Sequence, residues 1–339
     1  MSVFVKMTVK TKTAAKTRLA AAALACMLCG NAAAVDIKEH PPLLELVDVM
    51  VAEDGWTRAE LAAAFRAARI QDSVIRSIKR PNENLPWHKY RALFITDERI
   101  RRGAEFWSEQ QETLMRATRE FGVPAHVIVA LLGVESHFGE RRGKNRALDA
   151  LVTLTVDYPR RRAFFRGELR AFLNIARAEG IDPAEMRGSY AGALGIPQFM
   201  PTSYRAYAVD FNGNGRRDLF DENADAIGSV GNYLKVHGWR GGQAIVRDVK
   251  NAIPPAAAAL VTTRAKPRLS AQQLADAGVR VDLNGGSAKM ALFKLQEADG
   301  ERHIVGFSNF YALTRYNPSV HYAMAVVELA REIRRARGE

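Results

Sequence analysis

The sequence predicts a mainly helical chain of the α+β class, and three observations carry that prediction. From residue 43 onward apolar side chains recur at helical spacing in segment after segment. After Trp239 glycine and proline cluster, and residues 244–249 and 289–307 alternate apolar and polar side chains at period two. Helical spacing then returns in a last amphipathic segment, 321–337. The expectation is therefore a helical protein with one small β-rich insertion.

Taken in order, residues 43–53 form the first helix, and Thr57-Arg58-Ala59-Glu60 is a capping box that opens an alanine-rich helix to Ile70. Asp72 caps a shorter helix that must stop before Pro81, and a loop runs through Pro86. The pattern resumes over 100–121, where Gly122 ends it. Residues 124–134 are apolar nearly all round, which predicts a buried helix. Further helices are expected at 148–157 and 160–179, and Asp182-Pro183-Ala184-Glu185 has the form of another helix start. In the β-rich part Ala298-Asp299-Gly300 is a hairpin turn signal. Ser319 caps the last helix, whose basic end suits a helix C-terminus.

The composition excludes several classes. At 339 residues, 47% hydrophobic and 25% charged, the chain is neither collagen-like, disordered nor a polytopic membrane protein. The net charge of +12 draws on Lys6, Lys10, Lys12, Lys16 and Arg18, with no acidic residue in the first 35. They precede an Ala/Leu stretch, 19–30, too short to span a bilayer and closed by Ala32-Ala33-Ala34, which is the layout of a secretory signal peptide over 1–34. Cys26 and Cys29 would leave with it, so their spacing has no redox meaning and the mature chain has no disulfide. Neither cysteine follows a lipid-attachment box, so soluble export to the periplasm is expected, with lipid anchoring and outer-membrane association as the alternative. The arginines at 160–162 and in the last helix form a solvated basic face. An exported protein meets an anionic wall polymer before any nucleic acid, so nucleic acid is excluded as partner and a monomer is expected.

Three segments could carry chemistry. The buried helix at 124–134 runs straight into Glu135-Ser136-His137-Phe138-Gly139. Burial disfavours the charged carboxylate and raises its pKa, the condition for a general acid near neutral pH. The alternative is a glutamate paired with Arg141, Arg142 or an N–H group. Residues 189–201 combine small residues with Tyr190, Gln198 and Phe199, a surface suited to sugars through ring stacking and amide hydrogen bonds; the alternative is a tight Gly/Pro turn with buried aromatics. Asp210-Phe211-Asn212-Gly213-Asn214-Gly215-Arg216-Arg217-Asp218 places oxygen side chains at loop positions 1, 3, 5 and 9 and glycine at 6, as an EF-hand does. Calcium and a metal-free Asx-turn loop both stay open there, since Asn212 and Asn214 are neutral and two arginines follow. His126 and His137 have no third ligand at motif spacing, which argues against zinc.

Gly133-Val134-Glu135-Ser136, the run from Asp157 to Arg161, residues 189–201 and the run from Asn309 to Asn317 occur in the order and spacing of the lytic murein transglycosylase B family, and the chain resembles that family over about residues 40 to 335. The resemblance implies a lysozyme-like core (121–240, joined by 307–316) holding the EF-hand-like loop 210–225. It implies a helical domain (35–120, joined by 317–339) and a small β domain (241–306). Glu135 falls on the catalytic acid/base. Tyr158, Arg160, Arg161, Ser189, Tyr190, Gln198, Phe199, Asn309 and Tyr316 fall at the glycan groove. The implied calcium ligands are Asp210, Asn212, Asn214, the Arg216 carbonyl and Asp225, although the stretch up to Asp225 is one residue longer than the family pattern. Asp149, Asp157, Glu168 and Asp182 are explained by helical or capping patterns, so no partner carboxylate for Glu135 is evident. That fits the implied substrate-assisted lyase reaction on peptidoglycan strands, which needs no cofactor and leaves 1,6-anhydro ends.

Overall fold

The computed structural model describes residues 35–79, 85–283 and 289–339. The expected signal peptide, with both cysteines, lies outside the described residues. Helices α1 (Pro41–Glu53), α2 (Arg58–Arg66), α3 (Asp72–Ile78), α4 (Trp87–Ala92), α5 (Asp97–Glu109) and α6 (Gln111–Phe121) lead into α7 (Ala125–Ser136). The capping box that opens α2 forms as expected, with Thr57 N–H donating to Glu60 at 2.7 Å. Because α7 is apolar on every side it lies in the centre of the molecule, with Val127 to Gly133 fully buried. It is enclosed by α5, α6, α11 (Asn223–Val236) and α14 (Val320–Ala336). Helices α8 (Ala147–Asp157), α9 (Arg162–Glu179) and α10 (Pro201–Tyr207) complete this layer, and α13 (Ser308–Tyr316) leads the chain back to α14.

Several expected boundaries differ, each for a physical reason. The helix expected over 100–121 is two helices, since Gln110 (φ −109°, ψ 21°) breaks it. No glycine or proline marks the break, and the apolar stripe continues across it. Helix α2 stops at Arg66, its last turn closing through Ala67 and Ala68 N–H onto the Ala64 and Phe65 carbonyls, and the chain beyond it is held by α8: Arg69 N–H donates to Asp149 and Gln71 N–H to Thr153. Asp182 caps only a turn, its carboxylate accepting from Ala184 N–H, and the chain then enters the short strand β2 (Arg187–Gly188), antiparallel to β1 (Asn145–Arg146). The short helix α4, α10, α11, α12 (Ala271–Asp276) and α13 were not expected from periodicity.

The insertion is β-rich as predicted. Strands β3 (Val246–Asp248), β4 (Ala291–Gln296) and β5 (Glu301–Gly306) form an antiparallel sheet in the order β3-β5-β4. Phe293 and Ile304, paired across β4 and β5, face the main core, while the adjacent pair Leu292 and Val305 closes a small second core with Ala257 and Leu274. The sheet is thus buried on both faces. Glu328 of α14 receives Arg91 and Arg302 at 2.5 and 2.6 Å, tying α4 and β5 to the helix that carries one wall of the site.

Candidate active site

Glu135 ends the buried helix α7. Beyond it the chain turns through two non-glycine residues in the left-handed region, His137 (φ 53°) and Phe138 (φ 59°), a strained arrangement held by surrounding packing. Gly139 N–H donates to Ser136 Oγ at 2.9 Å and Arg141 N–H to the Ser136 carbonyl at 2.7 Å, which fixes the turn. The Tyr322 hydroxyl, from the first turn of α14, donates to Glu135 Oε1. Burial pushes the Glu135 carboxyl up to about 7, with the Tyr322 bond acting in the opposite direction. The alternative arginine partner is absent among the described residues, because the Arg142 guanidinium turns to Asp221 at 2.7 Å. Burial raises the Tyr322 phenol well above its ordinary range, so it stays protonated and remains the donor.

Tyr316, at the end of α13, donates its hydroxyl to the Pro197 carbonyl and stacks near Tyr322, ring centroids 6.5 Å apart. It joins the 189–201 loop to the Glu135 side. Within that loop Ser189 Oγ accepts from Ala191 and Ala193 N–H, and Ile196 N–H donates to the Leu219 carbonyl at 2.8 Å. Gly195 (φ 71°) is required there, since a Cβ would stand 2.4 Å from the Leu219 oxygen. Gln198 itself adopts φ 49°, and its amide nitrogen donates to the Arg142 and Gly195 carbonyls at 3.0 and 2.8 Å. Its amide oxygen has no hydrogen-bond partner among the described residues.

The expected groove residues divide into surface and wall. Tyr190 is 41% exposed, Arg160 and Arg161 are exposed, and Tyr158 and Ser189 are half-buried. Arg161 lies over the exposed Phe164 ring at 4.1 Å. Phe199 is buried at 2% exposure, between the Tyr233 and Tyr316 rings, so it shapes the wall rather than offering a ring face to a ligand. Asn309, 1% exposed, accepts from Arg240 N–H and donates to the Arg240 and Gln243 carbonyls at 2.8 and 3.0 Å. It pins the backbone where the core meets the β insertion. Tyr322 was not singled out in the sequence because a tyrosine on the apolar stripe of a helix reads as core.

The Asp210 loop has the Asx turns expected of it. Asp210 accepts from Gly213, Asn214 and Gly215 N–H, Asn212 from Asn214 N–H, and Asn214 from Arg216 N–H. Asp225 is fully buried and accepts from Phe211, Asn212 and Asp218 N–H. The carboxylate that meets the Asn212 and Asn214 side chains is Glu222, which accepts from their amide nitrogens at 2.5 and 3.2 Å. His126 packs on Trp107, with burial depressing its pKa to about 4, and no cluster of three or more metal-ligating side chains occurs among the described residues.

The family model described as Transglycosylase SLT domain matches residues 39–331. The chain is 41% identical over 313 residues to membrane-bound lytic murein transglycosylase B of Escherichia coli K12, covering 89% of this chain and 85% of that protein. The E. coli lytic transglycosylase Slt35, solved in complex with calcium, superimposes with a TM-score of 0.83 at 40% identity, covering 91% of this chain and 97% of that one. SltB3 of Pseudomonas aeruginosa, solved with NAG-anhNAM-pentapeptide, gives a TM-score of 0.72 at 28% identity, covering 86% of this chain and 78% of that one. A lysozyme-like fold, matched over nearly all the described chain, makes this protein a member of the lytic transglycosylase family with the SLT domain.

Proposed function

We propose that this chain cleaves the glycosidic bond after N-acetylmuramic acid in peptidoglycan without consuming water. The observation that carries the reading is the Glu135 carboxyl, enclosed and poised near pH 7, on which burial and Tyr322 act but no second carboxylate does among the described residues. Protonated Glu135 gives its proton to the glycosidic oxygen as the C1–O bond breaks, the electron pair leaving with that oxygen. The acetamido group of the substrate stabilises the positive centre at C1. Glu135, now a carboxylate, takes the proton of the sugar's C6 hydroxyl, whose oxygen closes on C1 to form the 1,6-anhydro ring. Gln198 and the exposed Tyr190 and arginines hold the strand in register for that step. Incubation with murein and mass analysis of the fragments tests the reading. Anhydro ends are expected, reducing ends alone would make the enzyme a hydrolase, and intact polymer would leave only a binding module.

The same reading places the protein in the cell envelope, facing the wall. Among the described residues no single helix is long and apolar enough to cross a membrane. For the Asp210 loop the reading is calcium as a structural ion, held by Asp210, Asn212, Asn214, the Arg216 carbonyl and Glu222 in place of Asp225. Binding to the folded state alone raises stability by mass action, so millimolar calcium should raise the melting temperature and a chelator lower it. Glu222→Gln should abolish that response. An unchanged wild-type melting curve would overturn the calcium reading.

A further inference from the structure

At the opposite end of α7 from Glu135, a cavity of about 550 Å³ opens between α6 and the last turns of α14. Along α7 the two ends stand about 15 Å apart at 1.5 Å per residue, so this cavity is separate from the glycan groove.

Its polar groups are largely unspent. Arg119 of α6 and Arg334 of α14 are exposed on its lining, and neither has an ion-pair partner among the described residues. Trp107 is only 6% exposed, yet its indole N–H donates to nothing among the described residues and is not sealed off from the cavity it lines. The Thr118 hydroxyl on the same lining is buried and unpartnered as well. Both ring nitrogens of His126 lack a hydrogen-bond partner among the described residues. Burial, reinforced by the Arg334 charge, holds that ring's pKa at about 4, so it is neutral at pH 7. Pro124 stands at the N-cap of α7 without a side-chain bond, which leaves the Ala125 and His126 N–H groups uncapped at the cavity edge. The one carboxylate on the lining, Glu339, is taken by Arg337 at 3.2 Å.

Free guanidiniums on two walls, a buried indole N–H and an uncapped helix start call for an anion with several acceptor oxygens. A carboxylate offers too few oxygens to meet donors on so many sides, whereas a tetrahedral phosphate group meets them all. Met115, 44% exposed at the rim, adds an apolar margin.

We propose that this cavity binds a phosphate group, free or carried on a lipid headgroup, with Arg119 and Arg334 as its ion-pair partners and Trp107 as a neutral donor. The site uses none of the residues assigned to cleavage. An envelope component held here leaves the groove, at the far end of α7, open to the wall polymer. Binding is also coupled to His126. The charged groups facing that ring are Arg334, Arg337 and Glu339 at the end of the chain and Arg119 on α6. A bound phosphate offsets the cations, so it must raise the His126 pKa, and by reciprocity protonation of His126 must tighten binding.

The test titrates the full chain with inorganic phosphate, read by calorimetry at pH 7 and by the His126 ring resonance in NMR from pH 7 down to about 4. Millimolar phosphate should bind and should raise the His126 midpoint by about one unit, a tenfold gain in proton affinity. Arg334→Ala should weaken phosphate binding about tenfold, and Trp107→Phe, which keeps a ring but loses the N–H, about fivefold, both with melting curves like that of wild type. Vesicles of phosphatidylglycerol form a second arm. Cosedimentation that phosphate competes away assigns the site to a lipid headgroup, and its absence beside phosphate binding assigns it to free phosphate. A wild-type protein that binds no phosphate, a His126 midpoint that phosphate leaves unmoved, or binding unchanged in both variants overturns the proposal.

Discussion

Replacing Glu135 by glutamine should abolish cleavage and at the same time stabilise the protein above neutral pH. The folded state holds the Glu135 proton up to about pH 7, against 4.5 for the group in the unfolded chain. Between those values folded protein binds more protons than unfolded protein, so wild-type stability falls as the pH rises through that window. A displacement of about 2.5 pKa units corresponds to about 3 kcal/mol. That is a ceiling, because Glu135 keeps an edge open to solvent. Glutamine has no proton to lose and can still accept from Tyr322. The melting temperature of Glu135→Gln minus that of wild type should therefore be near zero at pH 4.5 and rise to several degrees by pH 8, at about 2 to 4 °C per kcal/mol for a chain of this size or a little smaller. Paired melting curves at four pH values, with muropeptide release measured alongside, check both halves. A difference that stays flat with pH, or turnover within tenfold of wild type, would refute the argument.

Three further outcomes are expected. The rate should fall as the pH rises through about 7, since the acid form of Glu135 starts the reaction, and Tyr322→Phe should move that limb to higher pH because the lost bond favours the carboxylate. A pH–rate profile of the two proteins checks this, with a lower plateau in the variant from the loss of positioning. Asn309→Ala should cost about 2 to 4 kcal/mol of stability by orphaning backbone groups at Arg240 and Gln243, seen as a lower denaturation midpoint before any effect on glycan affinity. Gln198→Ala should lower kcat/KM about tenfold with little change in pH dependence, since it removes an amide from the groove but not the acid.

Much of the architecture was legible because it rests on local patterns. The run from Pro124 to Val134 has no polar face, and a helix with no polar face has to be central. From that alone follows the enclosure of Glu135 and the shift of its proton. The period-two segments gave the sheet to within two residues, although burial on both of its faces was not readable from alternation. What escaped depends on distant partners. The path of the chain after α2 is held by Asp149 and Thr153, some 80 residues away, and the break at Gln110 has no breaker residue to announce it. Asn309 and Phe199 carry groove positions in the family pattern, yet only the packed structure shows them working from inside the wall. The extra residue before Asp225 was visible in the sequence. The hydrogen bonds of Glu222 to the Asn212 and Asn214 amides, and of Asp225 to backbone N–H groups, were not.

The site also explains why the molecule tolerates its own defects. A carboxyl that loses stability on ionisation and left-handed backbone at His137, Phe138 and Gln198 lie at the site. Each would relax if its neighbours could move. They are held because α7 is gripped by helices on every side and because Tyr322 reaches Glu135 from α14, which Glu328 clamps to both α4 and the sheet. In the proposed reaction the β insertion therefore bears on catalysis without touching the reacting atoms, for it fixes the helix whose tyrosine bonds Glu135. Loosening that clamp should move the Tyr322 hydroxyl before it moves Glu135, so the first loss would be in proton placement and only later in fold.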